Sequence, residues 1–167
     1  QAGDMALRGR KSGDVTATTK SSPTDMVTQY DKASEKLITA GLSQIRANDA
    51  IVGEEGASKS GTSGITWHID PIDGTSNFFF DIPMWAVSIG AVDEHGPLAG
   101  AVYVPALGEM FSASRNEGAT MNGTAISCRK NSSLSDAMVC TGFSYRINER
   151  HAHAQRVANM VMKVRDI

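Results

Sequence analysis

The sequence predicts an α+β fold, and three observations carry that prediction. Apolar residues at helical spacing run through 27–45. Short β-prone segments separated by hairpin turns fill 84–115 as an antiparallel meander. A second helical pattern returns at 149–162. Helices and a meander in one chain of 167 residues fit one domain with a real core, spanning 1–167.

The elements follow in order. Gln1 to Arg10 reads as the tail of a helix begun earlier, so the chain is expected to be cut at its N-terminus. Lys11 to Thr19 is a Gly/Ser/Thr-rich connection with a β-prone edge at Val15 to Thr18, and Lys20 to Pro23 is a loop. Thr24 or Asp25 is placed to cap a helix whose Val27, Tyr30, Ala33, Ser34, Leu37, Ile38, Leu42 and Ile45 share helical spacing. Gly41 weakens that helix without ending it. Asn48-Asp49 is a turn, Ala50 to Gly53 a strand, and Ala57 to Gly64 a mobile surface loop. Ile65 to Asp70 is a β-branched and aromatic strand, which Pro71 is expected to stop. Asp73-Gly74-Thr75 then turns the chain, and Thr75 or Ser76 caps a short helix.

Met84 to Val92, Leu98 to Val104 and Glu109 to Arg115 are successive strands, with Asp93-Glu94-His95-Gly96 as a hairpin turn. Ala125 to Cys128 and Ala137 to Thr141 are shorter strands, and Glu149 to Met162 is an amphipathic helix. Lys163 to Ile167 opens a further strand that lacks a partner, so the chain is expected to be cut at this end too.

Composition narrows the function. A net charge of −2 offers no basic face for nucleic acid or an anionic membrane, so neither partner is expected. No apolar run approaches the ~20 residues of a membrane span, and no signal peptide opens the chain. Cys128 and Cys140 lack metal or redox spacing and read as free thiols of a reducing compartment, which implies the cytoplasm. Asn122 and Asn131 begin Asn-x-Ser/Thr triplets that mean little without a secretory context.

The chemistry gathers in Trp67-His68-Ile69-Asp70-Pro71-Ile72-Asp73-Gly74-Thr75-Ser76-Asn77-Phe78. A strand ending in Asp70 and Asp73 beside a helix N-terminus crowds two carboxylates, which repel unless a cation joins them. Hard oxygen ligands of this kind suit Mg²⁺, and the amides after Gly74 suit a phosphate. Ile51-Val52-Gly53-Glu54-Glu55-Gly56 is a second strand delivering carboxylate at its C-terminal end. An EF-hand is a poor fit, because the acids its loop requires at the third and twelfth positions are missing. His68 shares a face with Asp70 and reads as a sheet residue with a satisfied ring. The Phe78-Phe79-Phe80 triplet reads as core. Asp31 taken alone reads as a solvated charge beside Lys32 and Lys36, one turn from Glu35 on the same helix face.

With Lys20-Ser21-Ser22-Pro23-Thr24-Asp25-Met26-Val27-Thr28-Gln29-Tyr30-Asp31 added, the sequence resembles the inositol monophosphatase family. The family pattern K-x-x-x-x-D-x-V-T-x-x-D, then G-E-E, then W-x-I-D-P-I-D-G-T-x-N-F, is matched in order and in spacing. The resemblance implies an α+β sandwich layered αβαβα, of the sugar-phosphatase kind, seen as an incomplete chain lacking the C-terminal part. The family's later W-D-x-A-A-G segment, with a further metal-binding Asp, does not occur among these residues.

The resemblance also implies a Mg²⁺-dependent phosphomonoesterase that commonly dimerises and is inhibited by Li⁺. Glu54, Asp70, Asp73 and the carbonyl of Ile72 are its implied metal ligands. Thr75, polarised by Asp31, positions the attacking water, Glu54 is counted with them as catalytic, and Gly74, Thr75 and Asp73 meet the substrate. The expected substrate is a small phosphate ester. Inositol 1-phosphate is favoured by Thr141-Gly142-Phe143-Ser144, and fructose 1,6-bisphosphate, 3′-phosphoadenosine 5′-phosphate and histidinol phosphate are alternatives. Such hydrolyses need up to ~10²¹-fold acceleration, roughly 28 kcal/mol, of which a lone base supplies only about 10²- to 10⁴-fold, so charge neutralisation must carry the rest. The competing expectation is a non-catalytic fragment or interaction module, weakly active or inactive alone, because the last metal-binding Asp is not in the sequence.

Overall fold

A computed structural model of the chain describes residues 1–130 and 133–167, which leaves the Asn131 triplet outside the described residues. The chain divides into two compact units. One comprises Gln1–Thr18 and Met26–Ser127, and the other Thr19–Asp25 and Cys128–Ile167.

The first unit begins with α1 (Ala2–Ser12), which ends on Gly13 at φ 80, and continues through β1 (Ala17–Thr19) and β2 (Met26–Thr28) into α2 (Gln29–Ile45). The helix cap is therefore Thr28, and Thr24 and Asp25 precede β2 instead. A capping box explains the shift. Asp31, three residues into the helix, accepts the backbone N–H of Thr28, while the Thr28 hydroxyl accepts from Tyr30 N–H at 3.2 Å.

The strands β3 (Ala50–Gly53), β4 (Ser58–Lys59), β5 (Thr66–Asp73), β6 (Ala86–Asp93), β7 (Gly96–Val104), β8 (Glu109–Ser114), β9 (Gly118–Met121) and β10 (Thr124–Ile126) form one eight-stranded sheet. Its order is β10-β9-β8-β7-β6-β5-β3-β4. All neighbours are antiparallel except β3 and β5, which run parallel, so the expected meander is present within a mixed sheet. The segment expected to be a plain loop, 57–64, contributes the short β4, paired to β3 through Ile51↔Lys59 and Val52↔Ser58.

Pro71 does not stop β5. Asp70 pairs with Ser88 and Asp73 with Ala86, so the strand carries one extra residue across Pro71 and Ile72. A bulge leaves a residue out of the ladder, which removes the penalty for a missing N–H. After β5, Gly74 at φ 87 caps α3 (Thr75–Phe79) without a side-chain cap, where Thr75 or Ser76 was expected. A left-handed backbone there favours glycine, and a Cβ on Gly74 would also crowd the Met84 carbonyl at 3.2 Å.

Two apolar clusters hold this unit together. Ala2, Ile38, Leu42, Ile51, Ile69 and Val87 join α1 and α2 to the sheet, with Trp67 and Ile89 against them. Ala6, Ile72, Phe78 and Trp85 form the second, with Leu7, Val15 and Tyr30. Phe78 is fully buried, edge-on to Trp85 at 4.9 Å and to Tyr30 at 5.8 Å. Of the Phe triplet only Phe78 is core. Phe80 is 67% exposed.

Among the described residues of the second unit, a 3₁₀ turn (Leu134–Asp136) and α4 (Ile147–Val161) are the regular elements. The strands expected at Ala137–Thr141 and Lys163–Ile167 reduce to one parallel bridge, Met138↔Asp166. β-propensity alone does not make a strand without a partner ladder, and these two segments meet at one register position. Among the described residues no helix is long and apolar enough to cross a membrane. Cys128 and Cys140 are free and exposed.

Candidate active site

The first unit brings three segments to one place around α2. Asp31 is 1% exposed, against the solvated position that its neighbours Lys32 and Lys36 suggest. It faces inward because the helix face of Asp31, Ser34, Glu35, Ile38 and Leu42 is the buried one. Its Oδ2 accepts from the Thr28 N–H at 2.8 Å and the Thr28 hydroxyl at 2.5 Å. Its Oδ1 lies 3.1 Å from the Thr75 hydroxyl, which also stands 3.0 Å from the Ile72 carbonyl, so one proton is shared between two acceptors. Burial raises the Asp31 carboxyl above its ordinary range, and the bonds from Thr28 and Thr75 oppose the shift.

β5 carries Asp70, Ile72 and Asp73 across the bulge, and the turn after β3 carries Glu54. The Glu54 amide bonds the Ile69 carbonyl at 3.1 Å, which ties that turn to β5. Asp70 is pushed up to about 7, first by burial and then by its neighbour Glu54, to which it hydrogen-bonds, with Asp73 adding a smaller repulsion. Asp73 is exposed. Glu54 and Asp73 therefore both lie close enough to Asp70 for their negative charge to act on its carboxyl.

These residues fit a divalent cation in two respects. Asp70 Oδ1 is buried and meets no hydrogen-bond partner among the described residues. The remaining donors, carboxylates and the Ile72 carbonyl, are the hard oxygens that Mg²⁺ selects. They do not form a tight cage of three. Among the described residues no group of three or more His, Cys, Asp or Glu side chains is gathered closely enough to hold an ion by itself. The arrangement suits an ion that takes one or two carboxylates and completes its shell with water and substrate oxygens, as Mg²⁺ does.

A sequence profile of the inositol monophosphatase family matches residues 1–167. The chain belongs to that family. Its sequence is 39% identical over 164 residues to the inositol-1-monophosphatase SuhB of Mycobacterium tuberculosis, covering 93% of this chain and 57% of the relative. It is 38% identical over 152 residues to a protein of Pseudomonas aeruginosa named Nus factor SuhB, covering 89% of this chain and 56% of the relative. The crystal structure of the extragenic suppressor protein suhB from Bartonella henselae superposes with a TM-score of 0.93 at 30% identity, over 99% of this chain and 64% of that one. The expected α+β sandwich of this family is thus the fold observed. The chain spans little more than half the length of the curated relatives it matches.

Sequence reasoning gave no role to Ser34 and Glu35. Ser34, fully buried, donates to the Pro71 carbonyl at 3.1 Å. Glu35 accepts from the backbone N–H groups of Glu55 and Ala57 at 2.7 and 2.8 Å. The signal was legible: polar residues on the helix face that carries Ile38 and Leu42 have to find partners inside the protein. His68, by contrast, is exposed on its strand.

Proposed function

We propose that this chain carries the catalytic half of a Mg²⁺-dependent phosphomonoester hydrolase acting on inositol 1-phosphate or a related small polyol phosphate. The observation that carries the proposal is the buried Thr75–Asp31 hydrogen bond standing beside Asp70 and Asp73 on the bulged end of β5, against which the turn after β3 brings Glu54. Glu54, Asp70, Asp73 and the Ile72 carbonyl would hold the ion. When bound, it supplies positive charge to the phosphoryl oxygens and eases ionisation of the attacking water.

The protein's own groups do the rest. Thr75 accepts a proton from the water while passing its own to Asp31 Oδ1. The water oxygen then bonds to phosphorus, the ester P–O bond breaks, and the alcohol leaves with a proton from solvent. A carboxyl raised by burial is the stronger base for that transfer. The first amides of α3, at Gly74 and Thr75, lack acceptors within the helix and suit the phosphoryl oxygens. On the same reading the enzyme acts as a homodimer and is inhibited by Li⁺. The relative named inositol-1-monophosphatase supports the substrate class.

The test is phosphate release by the protein as its gene encodes it, across a Mg²⁺ titration. Inositol 1-phosphate, fructose 1,6-bisphosphate, 3′-phosphoadenosine 5′-phosphate and histidinol phosphate are compared side by side. Mg²⁺-dependent release that is fastest from inositol 1-phosphate is expected, and Asp73→Asn should abolish it. Release from none of the four, or release indifferent to Mg²⁺, contradicts the proposal.

A further inference from the structure

We propose that Glu35 is a positioning residue: from the core face of α2 its carboxylate fixes the turn after β3 and so sets Glu54 against Asp70 for a divalent cation. This rests on the hydrolase proposal above and adds to it a residue that would never touch the ion.

The geometry is specific. Glu35 is 4% exposed, and each of its oxygens takes one backbone N–H from the turn, Oε2 from Glu55 and Oε1 from Ala57. Glu54 lies directly before the first of those amides. Its own N–H goes to Ile69 on β5, and the Gly53 N–H closes the turn onto the Ala57 carbonyl at 2.7 Å. The backbone on both sides of Glu54 is thereby tied down, which leaves its side chain as the part that remains to be placed.

Gly53 shows that the carboxylate has a dedicated seat. A Cβ on Gly53 would fall 2.2 Å from Glu35 Oε2 and 2.5 Å from its Cδ. Only a residue without a side chain lets the carboxylate reach the turn. The occupant must also be a carboxylate. Two N–H groups point at its two oxygens, and an amide would turn its own NH₂ toward one of them.

The same helix holds the other side of the site. One residue earlier, Ser34 grips the Pro71 carbonyl within the bulge between Asp70 and Asp73. Neighbouring residues of one rigid element therefore set both edges of the space between Glu54 and Asp70. Groups that orient ligands in this way typically govern metal affinity by about 10- to 100-fold.

The test is Mn²⁺ binding, read by electron paramagnetic resonance, on wild type, Glu35→Gln and the exposed control Lys36→Gln. Glu35→Gln is expected to bind Mn²⁺ about 10- to 100-fold more weakly, and Lys36→Gln to match wild type. In turnover the same variant should raise the Mg²⁺ needed for half-maximal rate, with substrate KM at saturating Mg²⁺ unchanged. Wild-type binding together with an unaltered Glu35→Gln overturns this role alone. Absence of Mn²⁺ binding by wild type overturns it along with the hydrolase proposal. Should Glu35→Gln fail to fold, amide exchange in the wild type decides. Slow exchange at Glu55 and Ala57 is expected, and exchange there as fast as in an open loop overturns the proposal.

Discussion

Asp31→Asn separates the proposed proton-accepting role of this residue from its packing role. The carboxylate accepts two bonds at Oδ2, from the N–H and hydroxyl of Thr28, and one at Oδ1, from Thr75. An asparagine of the same shape keeps its oxygen toward Thr28, where the backbone N–H can only donate. Its NH₂ then faces the Thr75 hydroxyl and donates to it, while that hydroxyl goes on donating to the Ile72 carbonyl. Every buried polar group stays paired, and a carboxyl that burial disfavours as an anion is gone. Folding stability should therefore change by less than about 1 kcal/mol. Activity should fall by about 10²- to 10⁴-fold, the usual worth of a general base, or roughly 3 to 5.5 kcal/mol in the barrier. Urea unfolding and phosphate release from inositol 1-phosphate, measured on one preparation, give both numbers. Activity within about tenfold of wild type would remove Asp31 from the proton path. A loss of stability above about 3 kcal/mol would show that the compensating bonds do not form.

Three other outcomes are expected. Phe78→Ala empties a fully buried site between Tyr30 and Trp85 and should cost about 3–5 kcal/mol in urea unfolding, with Phe78→Leu recovering part of it; a cost below about 1 kcal/mol would mean that α3 is not held by this ring. The bidentate Arg115 pair holds Asp93 at about 2, and Arg46, Ser63 and Trp67 hold Asp49 at about 2, both below the ordinary 3.8. Their stabilisation is present above that ordinary value and lost as pH falls toward 2, so Arg115→Gln should flatten the acid limb of a thermal-melt series, and an unchanged limb would count against the pair. Asp70 has the opposite sign. Its carboxyl is raised from 3.8 to about 7, so the stability of the protein in EDTA should decline as pH climbs between those values, and Mg²⁺ should remove the decline because it binds the ionised form. A pH-independent melt in EDTA would show that burial and Glu54 do not act on Asp70 as described.

Much of the fold was legible because its local signals agree with its tertiary contacts. The stripe from Val27 to Ile45 gave α2, and the alternation and turns from Met84 to Arg115 gave the meander. What was not legible depended on partners distant in sequence. Pro71 stops a regular strand, yet a bulge between Asp70 and Asp73 carries β5 through it. Thr24 and Asp25 are good caps, yet Thr28 wins because Asp31 completes the box. Ala137 to Thr141 has strand composition and finds only one bridging residue. Within the candidate site, the motifs pointed to the acids Glu54, Asp70 and Asp73, and the family resemblance to the Asp31–Thr75 pairing that the hydrogen bond shows. The polar bonds from Ser34 and Glu35 that hold those motifs in place could not be foreseen, because nothing local shows which backbone groups a buried side chain will meet.

The proposal that Glu54, Asp70 and Asp73 serve a divalent cation is tested most directly by anomalous diffraction from crystals of the protein grown with Mn²⁺. An anomalous peak between the Glu54 and Asp70 carboxylates, within ligand distance of the Ile72 carbonyl, is the predicted result. Full Mn²⁺ occupancy elsewhere on the chain, with Glu54 and Asp70 still hydrogen-bonded to each other, would contradict it.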